Sequence, residues 1–137
     1  MTASDANRLP LDRAIPVREL GLIAMDMDST AITIECIDEI ADFAGVKAEV
    51  SAITASAMRG ELDFQESLRR RVACLEGLST DVLRGVYEAR LQPSPGLDEL
   101  MRFAREHGVK TLLISGGFTY FTERMRARFG YTYTRAN

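Results

Sequence analysis

The sequence predicts an α/β fold in which a parallel sheet is interrupted, after its first strand, by a block of helices. Apolar runs of strand length lie at residues 20–26 and 109–115, and polar, turn-forming residues follow each run directly. Between these runs a helical periodicity extends from residue 34 to 91 and resumes at residues 97–108. Strands that alternate with helices form parallel sheets with right-handed crossovers, so this class is expected here.

The composition fits one globular domain with an insertion and excludes several classes. The 137 residues are 46% hydrophobic and 27% charged, which is enough to bury a core. The net charge of −3 argues against a nucleic-acid binder. No apolar run approaches the roughly 20 residues of a membrane span, and we expect no signal peptide at the start. Two cysteines without a secretion signal indicate a reducing compartment, so the expected location is cytoplasmic.

The elements are expected in a definite order. Residues 1–19 form an N-terminal arm with two proline breakers, and residues 20–26 form a buried first strand. Four helices, three of them ended by glycines, follow at residues 34–45, 46–60, 62–77 and 79–91. After the breaker QPSPG, a helix is expected at residues 97–108 and a strand typical of a sheet covered on both faces at 109–115. A further helix follows at 116–130, and a strand starts at 131–134. The expected units are the arm, an α/β core (20–33 and 92–137) and a helical insertion (34–91).

Two acids, Asp26 and Asp28, follow the first strand in the stretch DMDST. Neighbouring carboxylates repel, which raises the proton affinity of one, and a divalent cation relieves the repulsion. Mg²⁺ prefers such oxygen ligands. One carboxylate can attack phosphorus while the other transfers a proton. The pair by itself could also only cap a turn; together with a phosphate-binding cluster at the next strand end, it would indicate phosphoryl transfer.

A second polar cluster, Ser115-Gly116-Gly117, follows the second strand. Successive glycines let the backbone approach an anion, and the helix that follows offers free N–H groups. The alternative is a plain tight turn. Because ligands of parallel sheets bind beyond the carboxyl ends of the strands, we expect the two clusters to form one site.

These motifs resemble the phosphoserine phosphatase family of the haloacid dehalogenase superfamily. The resemblance rests on DMDST, ECIDEIA, AMRGELDFQESLRRRVA and SGGF, and it covers residues 20–137. It implies a haloacid dehalogenase-like, Rossmannoid parallel sheet with a four-helix cap inserted after the first strand. It also implies Mg²⁺-dependent hydrolysis of L-phosphoserine to L-serine and phosphate, in the last step of serine synthesis.

The resemblance assigns roles to individual residues. Asp26 is the expected nucleophile and Asp28 the general acid and base, with Asp26 and the Asp28 carbonyl as Mg²⁺ ligands. Ser115 and Gly116 are expected to hold the phosphate. The remaining substrate contacts are expected from Glu35 to the ammonium, from Arg71 to the carboxylate, and from the apolar residues Met58 and Phe64.

The chemistry of L-phosphoserine agrees with these roles, although simpler interpretations exist. Its ammonium, carboxylate and phosphate need an acid, a bidentate donor and an anion cradle. Glu35 could instead be an acid at a helix start. Arg71 is the last of three successive arginines, which lie about 100° apart on a helix, so at most two can point inward. Met58 and Phe64 could be core residues.

The chain departs from the family pattern at its end, Asn137, which comes before the family's phosphate-binding lysine and the acidic loop that completes the Mg²⁺ site. We therefore expect a truncated product with an incomplete sheet, impaired activity, and marginal folding or self-association through the exposed edge of the first strand. Three alternatives remain open. They are a phosphatase for another small phosphomonoester, an inactive module that binds phosphoserine or self-associates, and a receiver domain. The receiver domain is the least favoured, because its compact alternation leaves no room for residues 34–91.

Overall fold

The computed structural model describes residues 14–137, which form one parallel sheet and six α-helices. The strands are β1 (Leu22–Asp26), β2 (Lys110–Ile114) and β3 (Tyr133–Arg135). The helices are α1 (Cys36–Phe43), α2 (Lys47–Met58), α3 (Phe64–Ala73), α4 (Thr80–Ala89), α5 (Leu97–Glu106) and α6 (Thr119–Phe129). This order confirms the predicted fold class. Of the predicted arm, residues 1–13 lie outside the described residues, and Val17–Glu19 form a 3₁₀ turn. No described helix is both long and apolar enough to cross a membrane.

Local capping explains where several helices begin and end. The Asp63 carboxylate accepts a hydrogen bond from the Glu66 backbone N–H at 2.8 Å and so caps the start of α3. The Ser79 hydroxyl accepts from the Asp81 N–H at the start of α4. After α1 the chain turns at Gly45, whose φ of +78° is costly for any residue with a side chain.

The contact between α1 and α4 explains a glycine in the middle of α4. A Cβ atom at Gly85 would lie 2.8 Å from Cζ of Phe43, so the absence of a side chain lets this ring pack against the helix. The guanidinium of Arg90, just after α4, lies 5.3 Å from the Phe43 ring centroid and donates hydrogen bonds to Glu39 and Asp42 at 2.6 Å each. Together these contacts join the first and last helices of the insertion.

The sheet aligns the carboxyl ends of its three strands. The order is β1-β2-β3, and both pairs are parallel. Asp26 lies opposite Ile114, which lies opposite Arg135. The loops that follow β1 and β2 therefore leave the sheet at the same edge. Within residues 14–137, β1 is an edge strand, as predicted.

The helical insertion is joined to the core by two linkers that pair with each other. Ile32 and Pro93 form an isolated antiparallel bridge. The Thr33 N–H donates to the Gln92 carbonyl at 3.0 Å, and the Ser94 hydroxyl donates to the Thr30 carbonyl at 2.6 Å. This pairing fixes the entry and exit of the insertion beside the turn that follows β1.

The hydrophobic core lies on one side of the sheet. Helix α5 contacts β2, and α6 contacts β2 and β3. Leu113, Phe121 and Met125 have no solvent-accessible surface. The same buried cluster includes Cys36 and Ile40 of α1 and Val86 of α4, so the insertion and the α/β core share one hydrophobic core.

The opposite side of the sheet, here called the open face, is not covered by any described helix. Its outward residues, by strand alternation and register, are Leu22, Ala24, Asp26, Lys110, Leu112, Ile114, Tyr133 and Arg135. Leu22, Ile114 and Tyr133 are 47%, 46% and 53% exposed. The prediction of strands buried on both faces was therefore wrong for this face.

Gly85→Ala is expected to stabilise the chain less than its helical position alone would allow. Alanine favours a helix over glycine by about 1 kcal/mol, but here its Cβ would displace the Phe43 ring. In a Phe43→Ala background the obstacle is gone, so the substitution should gain the full value of about 1 kcal/mol. Urea unfolding of the four proteins in a double-mutant cycle measures the difference. Equal gains in both backgrounds would contradict this packing.

Candidate active site

The first part of the site is the turn Met27–Ala31, which leaves the end of β1. Asp26 ends the strand and is exposed, whereas the Met27 side chain is fully buried and anchors the turn in the core. Asp28 follows and is half-buried. Ser29 has a φ of +53° and is the only non-glycine residue in the left-handed region among residues 14–137. This unusual backbone returns the chain towards α1 directly after the two acids.

Glu35 is held by this turn. The Ser29 hydroxyl donates to Glu35 Oε1 at 2.7 Å, and the Ser29 N–H donates to the Ile34 carbonyl at 3.1 Å. Glu35 occupies the position just before α1, but its side chain makes no capping hydrogen bond to the helix. Glu35 therefore lies at a helix start, as the alternative interpretation has it, but its carboxylate accepts a hydrogen bond from the turn and not from the helix.

The second part of the site is the turn that follows β2. The Ser115 side chain is buried, and its hydroxyl accepts a hydrogen bond from the Gly117 N–H at 3.0 Å. The Gly116 N–H has no partner among the described residues and is free to meet an anion. A Cβ atom at Gly116 would lie 3.1 Å from Cζ of Phe64, so the first residue of α3 reaches across to this turn.

Asn137 holds the same turn and was not predicted from the sequence. Its side-chain amide donates to the Gly116 carbonyl at 2.9 Å, and its backbone N–H donates to the Gly117 carbonyl at 2.9 Å. Its carbonyl accepts from the Thr119 N–H at 2.8 Å. The only available signal was its place just after β3, a strand that pairs with β2.

A cavity of about 190 Å³ brings these parts together. Its lining is Asp26, Asp28, Glu35, Ile37, Phe64, Leu68, Arg71, Ser115, Gly116, Gly117 and Phe118. A larger cavity of about 650 Å³ is lined by the insertion and by Phe118 of the core, but its mainly apolar lining includes neither aspartate. The smaller cavity is therefore the candidate active site.

Met58 is the one predicted site residue that the structure does not bring into this cavity. It ends α2, and it is 85% exposed. Its alternative interpretation as a core residue is wrong for the same reason, and its role in substrate binding stays a prediction. Phe64 is 65% exposed and also lies outside the core, but it lines the cavity.

Arg71 is the arginine that reaches the cavity. It is half-buried in α3, and its Nε donates to the Ser67 carbonyl at 3.4 Å. It makes no ion pair with any residue in the described part of the chain, whereas Arg70 pairs with Glu66 at 2.7 Å. Arg69 is exposed. The three successive arginines therefore point in different directions, as expected for residues about 100° apart on a helix.

The acids and their surroundings set the electrostatics of the site. Burial raises the pKa of Asp28 to about 6; the Cys36 thiol and N–H oppose this rise, while the charges of Glu35 and Asp26 add to it. Asp28 Oδ1 is buried without a hydrogen-bond partner of ordinary geometry among residues 14–137. Burial also raises the pKa of the Cys36 thiol, which therefore stays protonated. Asp28 can thus hold or release a proton near neutral pH.

The site supplies some of the oxygen ligands that a hard divalent cation takes. No group of three or more His, Cys, Asp or Glu side chains in the described ranges could hold a metal ion. The Asp26 carboxylate and the Asp28 carbonyl would supply two oxygens, and the orphaned Asp28 Oδ1 is a further polar atom nearby. Mg²⁺ accepts such a set because it retains waters and takes phosphate oxygens as further ligands.

Known proteins resemble this chain in sequence and in structure. A phosphoserine phosphatase from Polaromonas sp. (strain JS666 / ATCC BAA-500) is 54% identical over 124 residues, which are 90% of this chain and 52% of that protein. A haloacid dehalogenase family hydrolase from Salmonella enterica serovar Typhi has a TM-score of 0.82 at 44% identity, over 85% of this chain and 40% of that one. A phosphoserine phosphatase with a phospho-aspartyl intermediate analogue has a TM-score of 0.76 at 37% identity, over 85% and 56% of the two chains.

The matches cover most of this chain but only part of each relative. The chain spans about half the length of the curated relatives it matches first. Residues 20–135 match the haloacid dehalogenase-like hydrolases, a range that includes the parallel sheet, the helical insertion and both turns of the candidate site. The chain therefore belongs to the haloacid dehalogenase-like hydrolase family.

Proposed function

We propose that this chain carries the nucleophile and the substrate-binding cap of a Mg²⁺-dependent phosphatase that converts L-phosphoserine to L-serine and phosphate. The observation that carries the proposal is that one cavity is lined by Asp26, Asp28, Glu35, Arg71 and the Ser115 turn. These groups complement a phosphate, an ammonium and a carboxylate. The identity to phosphoserine phosphatases supports the same substrate. Residues 34–91 form the cap, and residues 20–33 with 92–137 form the core.

In the proposed reaction Asp26 is the nucleophile. Its carboxylate lies at the cavity wall, attacks phosphorus, and displaces the seryl oxygen to leave an aspartyl-phosphate. Water then attacks the phosphoryl group and restores the carboxylate. Asp26 and the Asp28 carbonyl would hold Mg²⁺, which when bound neutralises charge on the phosphate and the carboxylate. The structural similarity to a phosphoserine phosphatase with a phospho-aspartyl analogue supports this order.

Asp28 transfers the protons in this scheme. With its pKa raised to about 6, a fraction of its carboxyl is protonated near neutrality and can protonate the leaving seryl oxygen. The carboxylate so formed accepts a proton from the attacking water. Ser115 and the free Gly116 N–H hold the phosphate. Glu35 binds the ammonium and Arg71 the carboxylate of the substrate.

The cellular setting of the proposal is the last step of serine synthesis in the cytoplasm. Both cysteines, Cys36 and Cys74, are free thiols, which is consistent with a reducing compartment.

A second candidate is a module that binds phosphoserine or self-associates without turnover. Among residues 14–137, the cavity is lined by three acids and one cationic side chain, Arg71. The sequence contains two lysines. Lys47 pairs with Asp42 at 3.7 Å. Lys110 is the first residue of β2, whereas the proposed phosphate site follows the last residue of this strand. Because a missing cation typically costs roughly 10² to 10³ in the rate of such reactions, we expect the isolated chain to be impaired.

Asp26→Asn is expected to abolish the phosphate release that the isolated chain achieves. The wild-type chain with Mg²⁺ should hydrolyse L-phosphoserine at least about 10²-fold more slowly than a full-length relative, and chelation should stop it. The replacement removes the nucleophilic oxygen without changing the shape of the side chain. Asp98→Asn, at an exposed acid of α5, is the control and should retain the wild-type rate. Turnover that survives in Asp26→Asn would contradict the assigned nucleophile.

Arg71→Ala is expected to change ligand selectivity. In the presence of Mg²⁺, it should weaken L-phosphoserine binding by about 10- to 100-fold, because a charge-assisted contact to the carboxylate is lost. O-phosphoethanolamine has the ammonium but no carboxylate, so its affinity should change little. Glu35→Gln should weaken both ligands. Calorimetric titration measures the affinities, with Arg69→Ala as the exposed control. Equal losses for both ligands in Arg71→Ala would contradict a contact with the carboxylate.

Asp28→Asn is expected to stabilise the metal-free chain at alkaline pH. The pKa of Asp28 is raised from 3.8 to about 6, so the ionised form opposes folding above this value. Below about pH 4 the carboxyl is protonated in both states and the cost vanishes. Since the side chain is partly exposed, we expect a gain of about 1 to 2 kcal/mol at about pH 8.

Urea unfolding in chelator across this pH range measures the effect. Glu88→Gln, an exposed position of α4, is the control and should show no such trend. A gain for Asp28→Asn that stays constant on acidification would show that burial of the ionised carboxyl is not its cause.

A further inference from the structure

Two cavities of the structure share a wall. The candidate active site has a volume of about 190 Å³, and the larger cavity beside it, here called the insertion cavity, has a volume of about 650 Å³. Leu68 and Phe118 line both cavities, and no other residue in the described part of the chain does so. These two side chains therefore lie between the two spaces.

Leu68 reaches both cavities because of its place on α3. Phe64 and Arg71, four residues before it and three after it, line the candidate active site. Val72, four residues after it, and Leu75, just beyond the end of the helix, line the insertion cavity. Residues three or four apart are neighbours on a helix surface, so the two sets of side chains meet at Leu68.

Phe118 comes from the α/β core. It follows the turn Ser115-Gly116-Gly117 directly and occupies the position just before α6. Its side chain is half-buried and packs against the hydrophobic core. The wall thus consists of one residue from the insertion and one from the core, and it stands next to the turn that is proposed to hold the phosphate.

The two cavities suit different molecules. Sites for drug-sized ligands measure about 300 to 1,000 Å³, so the candidate active site has room only for a small molecule, whereas the insertion cavity falls within this range. The lining of the insertion cavity is mainly apolar and includes Ile40, Val82 and Leu83. An apolar group attached to a phosphate at the Ser115 turn would be stabilised there, because it would leave water. The wall stands between that phosphate and this cavity.

We propose that Leu68 and Phe118 are specificity-determining residues, which keep apolar leaving groups out of the insertion cavity and so restrict the site to small, polar phosphomonoesters. Selectivity of this kind comes from an obstacle to the wrong ligand, in addition to contacts with the right one. This role rests on the proposed function, because it requires a phosphate at the Ser115 turn. Both cavities are lined by described residues, so no outer surface has to be free of a partner for the wall to act.

Calorimetric titration with phosphonates in the presence of Mg²⁺ tests the wall, since a phosphonate is not hydrolysed. One ligand is the phosphonate analogue of L-phosphoserine, in which a methylene replaces the ester oxygen. The other is benzylphosphonate, which has the shape of phenyl phosphate. Leu68→Ala should tighten the binding of benzylphosphonate by at least about 10-fold, because the ring gains access to the insertion cavity. It should not tighten the amino-acid phosphonate, whose polar groups stay in the candidate active site.

Leu83→Ala is the matched control. This leucine is half-buried like Leu68 but lines only the insertion cavity, so its truncation enlarges that cavity without opening the wall. Both affinities should keep their wild-type values. Phe118→Ala should give the same gain as Leu68→Ala. Leu83→Phe added to Leu68→Ala should reverse the gain, because the larger ring fills the insertion cavity.

The expected gain separates a wall from a residue that only supports the fold, since partial unfolding weakens binding. A wild type that binds the amino-acid phosphonate, with no gain for benzylphosphonate in Leu68→Ala or Phe118→Ala, overturns the wall and leaves the proposed function intact. An equal gain in Leu83→Ala, or an equal gain for both ligands in Leu68→Ala, also overturns the wall. A wild type that binds neither phosphonate nor inorganic phosphate overturns the proposed phosphate site, and the wall with it.

Discussion

The parallel pairing of β1 with β2 is the contact on which the candidate site depends. With Asp26 opposite Ile114, the acid turn and the Ser115 turn leave the sheet side by side. A slip of one residue would move Asp26 to the covered face and separate the carboxylates from the Ser115 turn. The register is held by burial, because Leu113 and Met27 must both reach the core. The position of the reactive groups thus follows from the packing of apolar neighbours.

The helical insertion supplies what the sheet lacks. The sheet side of the cavity contributes the carboxylates of Asp26 and Asp28 and the Ser115 turn, and the insertion contributes Arg71 and the Phe64 ring. The paired linkers at Ile32 and Pro93 hold the insertion above the sheet, and Ser29 joins the acid turn to Glu35. Under the proposed function, selectivity for an amino-acid phosphomonoester would depend on how the insertion is placed, and the reaction chemistry on the sheet.

The two faces of the sheet differ for one physical reason. Both crossover helices that pack on the sheet, α5 and α6, lie on one side, because right-handed connections to successive neighbouring strands place helices on the same face. The other face keeps the apolar side chains of strands that are normally covered. The same topology that builds the site therefore leaves the second face without a covering helix among residues 14–137.

The sequence by itself determined the order of the elements, the four helices after the first strand and the two polar turns, because periodicity and glycine stops are local signals. It also indicated that only part of the arginine run could reach the site. Tertiary structure decided the rest. Met58 lies outside the cavity, Gly85 accommodates the Phe43 ring, and Asn137 donates a hydrogen bond to the Gly116 carbonyl of the Ser115 turn. These are contacts between residues distant in the chain, and they depend on how α2, α4 and β3 pack, which no local pattern encodes.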